Sequence, residues 1–196
     1  MAETLEQKLC LTAFPINLQH EVRQGGESFQ TVESADFDGD GDMDLVSASD
    51  LTDRFYWYEN DGKGNLTSQT LSGKHDGARV VAVADLTGDG QPEIIAGAFL
   101  SGEILVYQGT KIGNVFAFAE YEISANAVGV RDIQIDDIDN DGDQDIVVAH
   151  ERTVRWYENI ASQGQIGFAD GGPIMNLPHV VSASSISDIN QDTFPD

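Results

Sequence analysis

Short apolar segments recur along the chain, separated by stretches rich in glycine, aspartate and asparagine. Phe29–Val32 and Leu45–Ala48 are two such segments, and Phe55–Asn60 is a third in which aromatic residues dominate. Their short length and their content of β-branched and aromatic residues are typical of β-strands. Helical spacing is weak and limited to residues 2–11. The pattern therefore predicts an all-β protein.

The same order of segments occurs in three complete copies and begins a fourth, and an acidic loop marks each copy. The leading aspartates of these loops are Asp36, Asp85, Asp137 and Asp188, which lie 49, 52 and 51 residues apart. Such a period indicates repeated supersecondary units. Four short strands in about fifty residues fit one blade of a β-propeller. We therefore predict propeller blades of four antiparallel strands, with about three complete blades and further partial ones.

The repeat also predicts how the chain is divided. A lead segment precedes a single repeat region, and that region holds three complete units and a partial fourth. Closed propellers have at least four blades, so we expect either a fragment of a larger propeller or a ring completed by self-association. The predicted ranges are 1–11 for the lead and 12–196 for the repeats, with units near 29–72, 77–124, 127–178 and 179–196.

The acidic loops have the residue spacing of a calcium site. Ca²⁺ takes six to eight oxygen ligands in flexible geometry. In the first loop (residues 36–44), positions 1, 3, 5 and 9 are aspartates, position 6 is a glycine suited to a sharp turn, and position 7 can offer its carbonyl oxygen. The third loop (residues 137–145) repeats this pattern. The predicted ligands are Asp36, Asp38, Asp40, Asp42 and Asp44 in the first loop and Asp137, Asp139, Asp141, Asp143 and Asp145 in the third.

The second and fourth loops depart from this pattern. In the second loop (residues 85–93), a threonine supplies only a neutral oxygen at position 3. In the fourth loop (residues 188–196), Thr193 replaces the glycine, and a β-branched residue disfavours a positive φ. The predicted ligands are Asp85, Thr87, Asp89, Gln91 and Glu93 in the second loop and Asp188, Asn190, Asp192 and Asp196 in the fourth.

Other ions and other loop types fit these loops less well than calcium. An EF-hand needs a glutamate at position 12 and flanking helices, but that position is Ser47, Ala96 or Val148 inside predicted strands. Mg²⁺ prefers octahedral geometry with several waters, and the scattered histidines form no zinc motif. The remaining alternative is an acidic turn without metal. Repulsion among the clustered carboxylates favours a cation, and for the fourth loop both alternatives stay open.

The loop together with its flanks resembles a known family. The pattern D-x-D-x-D-G-x-x-D, an apolar strand, W-Y-E-N and a glycine-rich turn resembles FG-GAP/VCBS repeats, over roughly residues 12–196. These repeats build the head propellers of integrin α-subunits and occur in many bacterial and algal surface proteins. The resemblance implies an extracellular or cell-surface location and a role in adhesion or ligand recognition, with a protein or a glycan as the ligand.

Composition and charge narrow the classes of partner. The chain has 34 acidic and 10 basic residues and a net charge of -24, so anionic nucleic acid and anionic membrane surfaces are not expected partners. No apolar run of about 18 residues suggests a membrane span. Cys10 is the single cysteine, so no disulfide forms within the chain. Residues 1–11 lack the features of a signal peptide.

Other candidate sites have simpler explanations. Trp57, Tyr58, Trp156 and Tyr157 could stack on sugars, but they recur at one blade position and are predicted to pack between blades. The segment 75–79 contains His, Asp and Arg, yet the matching segments of other units lack that trio, which favours a connecting loop. No nucleophile, phosphate-loop or metalloprotease motif occurs. We therefore do not expect an enzyme.

The sequence thus predicts a calcium-binding β-propeller repeat module for extracellular adhesion or ligand recognition, possibly of glycans, with structural Ca²⁺ in the loops between strands. Fold alone does not fix function, so two alternatives are kept. One is an accessory or catalytic domain of a polysaccharide-degrading enzyme. The other is a purely structural spacer.

Overall fold

The computed structural model describes residues 28–113 and 115–186, and these residues form twelve β-strands and no helix. In this part of the chain, no helix is therefore long and apolar enough to cross a membrane. The strands are β1 (Phe29–Ala35), β2 (Asp44–Ser49), β3 (Arg54–Asn60), β4 (Leu66–Thr70), β5 (Ala78–Ala84), β6 (Glu93–Ala98), β7 (Ile104–Ile112), β8 (Val115–Ser124), β9 (Val130–Asp136), β10 (Asp145–His150), β11 (Thr153–Asn159) and β12 (Phe168–Asn176).

The strands form three antiparallel sheets of four strands each, in chain order. We call them blade 1 (β1–β4), blade 2 (β5–β8) and blade 3 (β9–β12). This confirms the all-β prediction and the four-stranded blade. The blades lie side by side without closing a ring. Residues 179–186 carry no strand, and the rest of the predicted fourth unit lies outside the described residues, as does the predicted lead.

The first strands of the three blades lie next to one another in a row, which we call the inner row. Strand β1 contacts β5, and β5 contacts β9, so neighbouring blades meet along these strands. The second strands are the most buried, because each is covered on both faces: every residue of β2 and β6 is buried. In sequence, a strand buried on both faces appears as a continuous apolar run and not as an alternation of apolar and polar residues. The second strands Glu93–Ala98 and Asp145–His150 contain such runs after their first residue.

The hydrophobic core lies between blades. One cluster joins blades 1 and 2 and includes Phe55, Trp57 and Tyr107, while a second joins blades 2 and 3. Trp57 is 2% exposed, and its ring lies 5.3 Å from those of Phe116 and Phe118 in β8. Packing between blades is therefore confirmed for Trp57. The matching Trp156 instead lies over Gly171 of its own blade, where a Cβ would stand 2.4 Å from the indole.

A histidine in the turn between blades 1 and 2 also joins them. His75 is 6% exposed, and its Nε2 lies 2.7 Å from Ser72 Oγ while its Nδ1 lies 3.0 Å from Glu103 Oε2 in blade 2. The hydroxyl of Tyr107 lies 2.9 Å from the same Ser72 Oγ. The predicted connecting loop is present. Its histidine bonds to residues outside segment 75–79, which sequence inspection did not foresee.

Candidate metal centre

The three described acidic loops occupy equivalent places in the three blades. Each joins the inner strand of its blade to the second strand, so all three lie at the same end of the inner row. Position 9 of each loop is the first residue of the second strand, namely Asp44, Glu93 or Asp145. The fourth loop, with predicted ligands Asp188, Asn190, Asp192 and Asp196, lies outside the described residues.

Two left-handed residues shape each loop. Position 6 is Gly41, Gly90 or Gly142, with φ of 96°, 87° and 103°. These values agree with the sharp turn expected there. Position 4 is also left-handed, and sequence inspection missed it: φ is 73° at Gly39, 70° at Gly88 and 61° at Asn140. Glycine and asparagine tolerate this conformation best, so their recurrence at position 4 was the available signal.

The aspartate at position 1 holds each loop in shape. In the first loop, Asp36 Oδ1 accepts the backbone N–H of Gly39 at 2.8 Å, and its Oδ2 accepts that of Gly41 at 3.0 Å. Asp85 makes the same two bonds in the second loop, both at 2.8 Å. Asp137 accepts the N–H of Gly142 at 3.0 Å. Position 1 therefore folds the chain around its own carboxylate.

Carboxylates converge in the first and third loops. Oxygen atoms of Asp36, Asp38 and Asp40 lie within 4.8 Å of one another, and so do those of Asp137, Asp139 and Asp145. In the described residues, the second loop forms no such group of three, since Thr87 replaces the aspartate at position 3. The first and third loops are therefore the groups that could hold a metal ion.

The position-5 and position-7 residues complete the loops. The carboxylates of Asp40, Asp89 and Asp141 each accept the N–H of the position-7 residue, at 2.8–2.9 Å. These position-7 residues are Asp42, Gln91 and Asp143, of which Gln91 and Asp143 are exposed and Asp42 is half-buried. The predicted ligand atom at position 7 is the carbonyl oxygen, so exposure of the side chain leaves that prediction as it stands.

The residue at position 9 ties the loop to the third strand of its blade. Asp44 is fully buried, and its carboxylate accepts the indole N–H of Trp57 at 3.0 Å and the N–H of Asn60 at 2.8 Å. Asp145 likewise accepts the N–H of Asn159 at 2.7 Å. These bonds give the asparagine of W-Y-E-N a role in blades 1 and 3 and its tryptophan a role in blade 1. Sequence inspection assigned Trp57 only to packing and Asn60 only to a turn.

Burial makes several of these carboxylates resist ionisation. Burial raises the pKa of Asp44 to about 6, although the bonds from Asn60 and Trp57 partly oppose it. Burial also raises the pKa values of Asp38, Glu93 and Asp145, and in each case the negative charge of neighbouring aspartates adds to the effect. A bound cation would favour the ionised form of each group.

A comparison with protein families bears directly on these loops. A family model described as an FG-GAP-like repeat matches residues 36–96 and 137–196, which together make up more than half of the chain. The two matched segments begin at Asp36 and Asp137, the leading aspartates of the first and third loops. No curated protein matches the chain.

Proposed function

Because the chain belongs to the FG-GAP-like repeat family, we propose that it is a calcium-binding β-propeller repeat module whose ions occupy the acidic loops. One observation carries the proposal: carboxylate oxygens of three aspartates converge within 4.8 Å in both the first and the third loop. Like charges at such separation repel one another, and the loop backbone holds them together through its own hydrogen bonds.

The donor set fits Ca²⁺. All side-chain donors at positions 1, 3, 5 and 9 of the first and third loops are carboxylates, which hard cations prefer. The residues that would hold the ion are Asp36, Asp38, Asp40 and Asp44 in the first loop, and Asp137, Asp139, Asp141 and Asp145 in the third. The ion would supply charge neutralisation. It would thereby fix the connection between the inner and second strands.

We assign the ion a structural role for a reason of position. Each loop is a strand connection, and its position-9 carboxylate is already bonded to the third strand. Fixing the loop therefore fixes three strands of a blade relative to one another. A partner would then bind on other surfaces of the blades. We propose that this partner is an extracellular protein or glycan, that binding involves no catalysis, and that a second copy of the chain can complete the ring.

Calorimetric titration with CaCl₂ tests the metal assignment. The proposal expects saturable binding that Asp38→Asn and Asp139→Asn each weaken. Asp76→Asn is the matched control, because Asp76 is an exposed aspartate outside the loops. Absence of binding to the folded protein, or binding by both loop variants that equals binding by the unmodified protein, would overturn the assignment.

One observation bears on the alternative of a catalytic domain, although a serine triad would cleave ester groups carried by a polysaccharide and not its glycosidic bonds. Ser72, His75 and Glu103 are hydrogen-bonded in series at 2.7 and 3.0 Å, which is the order of groups in a serine hydrolase. The burial of His75 and Tyr107 around Ser72 Oγ favours a structural link instead. A fluorophosphonate probe distinguishes the two: labelling of Ser72 and ester hydrolysis lost in Ser72→Ala would establish the catalytic alternative.

A further inference from the structure

One buried asparagine is hydrogen-bonded to both the second and the third acidic loop. Asn159 is the last residue of β11 in blade 3, and its side-chain amide has two hydrogens to donate. The amide donates to the carbonyl oxygen of Gln144 in the third loop at 2.9 Å and to that of Leu86 in the second loop at 2.8 Å. Leu86 lies in blade 2, so the second of these bonds crosses from one blade to the next.

The bond from Asn159 to Leu86 is part of a continuous chain of hydrogen bonds between the two loops. The backbone N–H of Leu86 donates to the carboxylate of Glu93 at 2.8 Å, and the backbone N–H of Asn159 donates to the carboxylate of Asp145 at 2.7 Å. Glu93 and Asp145 are the position-9 residues of the second and third loops. Three hydrogen bonds through two residues therefore connect a predicted ligand of one loop to a predicted ligand of the next.

The whole chain of hydrogen bonds is buried. Leu86, Glu93, Asp145 and Asn159 are all nearly inaccessible to solvent. Hydrogen bonds are stronger in such surroundings than in water, and a buried polar group that loses its partner is costly. A shift of Asn159 would leave the carbonyl oxygen of Leu86 without this donor. The conformation of the third loop therefore constrains that of the second.

The first loop lacks such a link to the blade that follows it. In β7 of blade 2, the place of Asn159 is taken by Gly109, which has no side-chain amide, and a Cβ there would overlap the ring of Phe116. The first and second loops do touch, because the exposed side chain of Gln91 lies beside Gly39, but among the described residues this side chain forms no hydrogen bond. Of the three described loops, the second and third are thus linked through a buried amide and the first is not.

We propose that Asn159 couples the second loop to the third, so that calcium binding in the third loop raises the calcium affinity of the second. The proposal deepens the proposed function and rests on calcium occupying the loops. Filling the third loop fixes its positions 8 and 9, which hold Asn159, and Asn159 in turn holds Leu86. A ligand binds more tightly where the ordering that it requires has already taken place. Asn159 acts as a positioning residue.

A calcium titration followed by ¹H–¹⁵N NMR measures each loop separately. The reporters are the amides of Gly41, Gly90 and Gly142, since each donates to the position-1 aspartate of its own loop. The third loop is disabled by Asp139→Asn together with Asp141→Asn, which keep an oxygen acceptor at both positions. We expect the calcium midpoint of Gly90 to rise about fivefold, the worth of one hydrogen bond, and that of Gly41 to stay unchanged.

Removal of the side-chain amide tests the role of Asn159 itself. In Asn159→Ala, disabling the third loop should no longer move the midpoint of Gly90, as in a double-mutant cycle. Asn159→Gly is a second variant, because it gives blade 3 the residue type that blade 2 has at this place. Asn60→Ala is the matched control: the amide of Asn60 donates at 3.0 Å to Met43 in the first loop of its own blade, so the fivefold rise should persist. Melting in saturating calcium shows that each variant is folded.

The coupling and the metal assignment fail in different ways. The coupling is overturned if the midpoint of Gly90 is unchanged or falls when the third loop is disabled. It is also overturned if the rise persists in both Asn159→Ala and Asn159→Gly. In these cases the glycine amides still respond to calcium, so the metal assignment stands. If none of the three glycine amides responds to calcium, the metal assignment and the coupling are both overturned.

Discussion

Removing calcium should lower the melting temperature through the first and third loops. A ligand that binds only the folded state stabilises it by about 2.7 kcal/mol at a hundredfold excess over Kd. Two such loops, each with three converging carboxylates, would together contribute roughly 5 kcal/mol. For a domain of this size, 1 kcal/mol corresponds to about 2–4 °C in melting temperature. We therefore expect a fall of about 10–20 °C in EDTA.

Thermal unfolding followed by circular dichroism, in millimolar CaCl₂ and in EDTA, measures this difference. Mg²⁺ should restore the melting temperature poorly, because it keeps several waters. Asp38→Ala and Asp139→Ala should each reduce the calcium-dependent shift. His75→Ala should lower the melting temperature in both buffers, since it removes bonds between blades, and leave the shift unchanged. Equal melting temperatures in the two buffers, with metal content measured, would refute the reasoning.

Three further predictions concern the order of binding, pH and assembly. In a calcium titration, the first and third loops should fill before the second, because Thr87 replaces a carboxylate there; a crystal at low calcium with only the second loop filled would contradict this. In EDTA, the protein should be more stable at pH 5 than at pH 7 because of Asp44. The folded pKa of Asp44, about 6, exceeds its unfolded value of about 3.9, so its contribution to the free energy of unfolding falls as pH rises between these two values. Asp44→Asn should reduce the difference in stability between the two pH values. Light scattering should detect self-association, and a compact monomer that binds no further copy would count against completion of the ring by a second chain.

Much of the fold could be predicted because it depends on local pattern. The four strands of a blade follow one another, so each apolar segment marks a strand and each acidic loop marks a connection. The position-1 and position-6 residues were visible for the same reason. Asp44 was harder, because its bonds to Trp57 and Asn60 cross to the third strand and require the register of the sheet.

Contacts between blades were largely beyond prediction from pattern, apart from the packing of Trp57 against blade 2. His75 and Glu103 lie 28 residues apart and meet only because two sheets pack side by side. Arg79 and Arg131, from different blades, approach the ring of Phe99 for the same reason. In each inner strand, a β-bulge takes the second residue out of the pairing with the second strand. These residues are Gln30, Arg79 and Arg131, and they share only their place in the strand. Strand packing, rather than residue identity, decides these contacts.

The bulges have a consequence for protein engineering. The bulged residue in each inner strand has no partner in the strand register, and Gln30, Arg79 and Arg131 differ in charge and shape without any change in blade architecture. Because these residues stand outside the strand pairing, we expect a substitution there to leave the register of the inner and second strands unchanged. Each blade thus offers one exchangeable side chain on a rigid frame. A small library randomised at these three positions could be screened for new ligands while the acidic loops are left untouched.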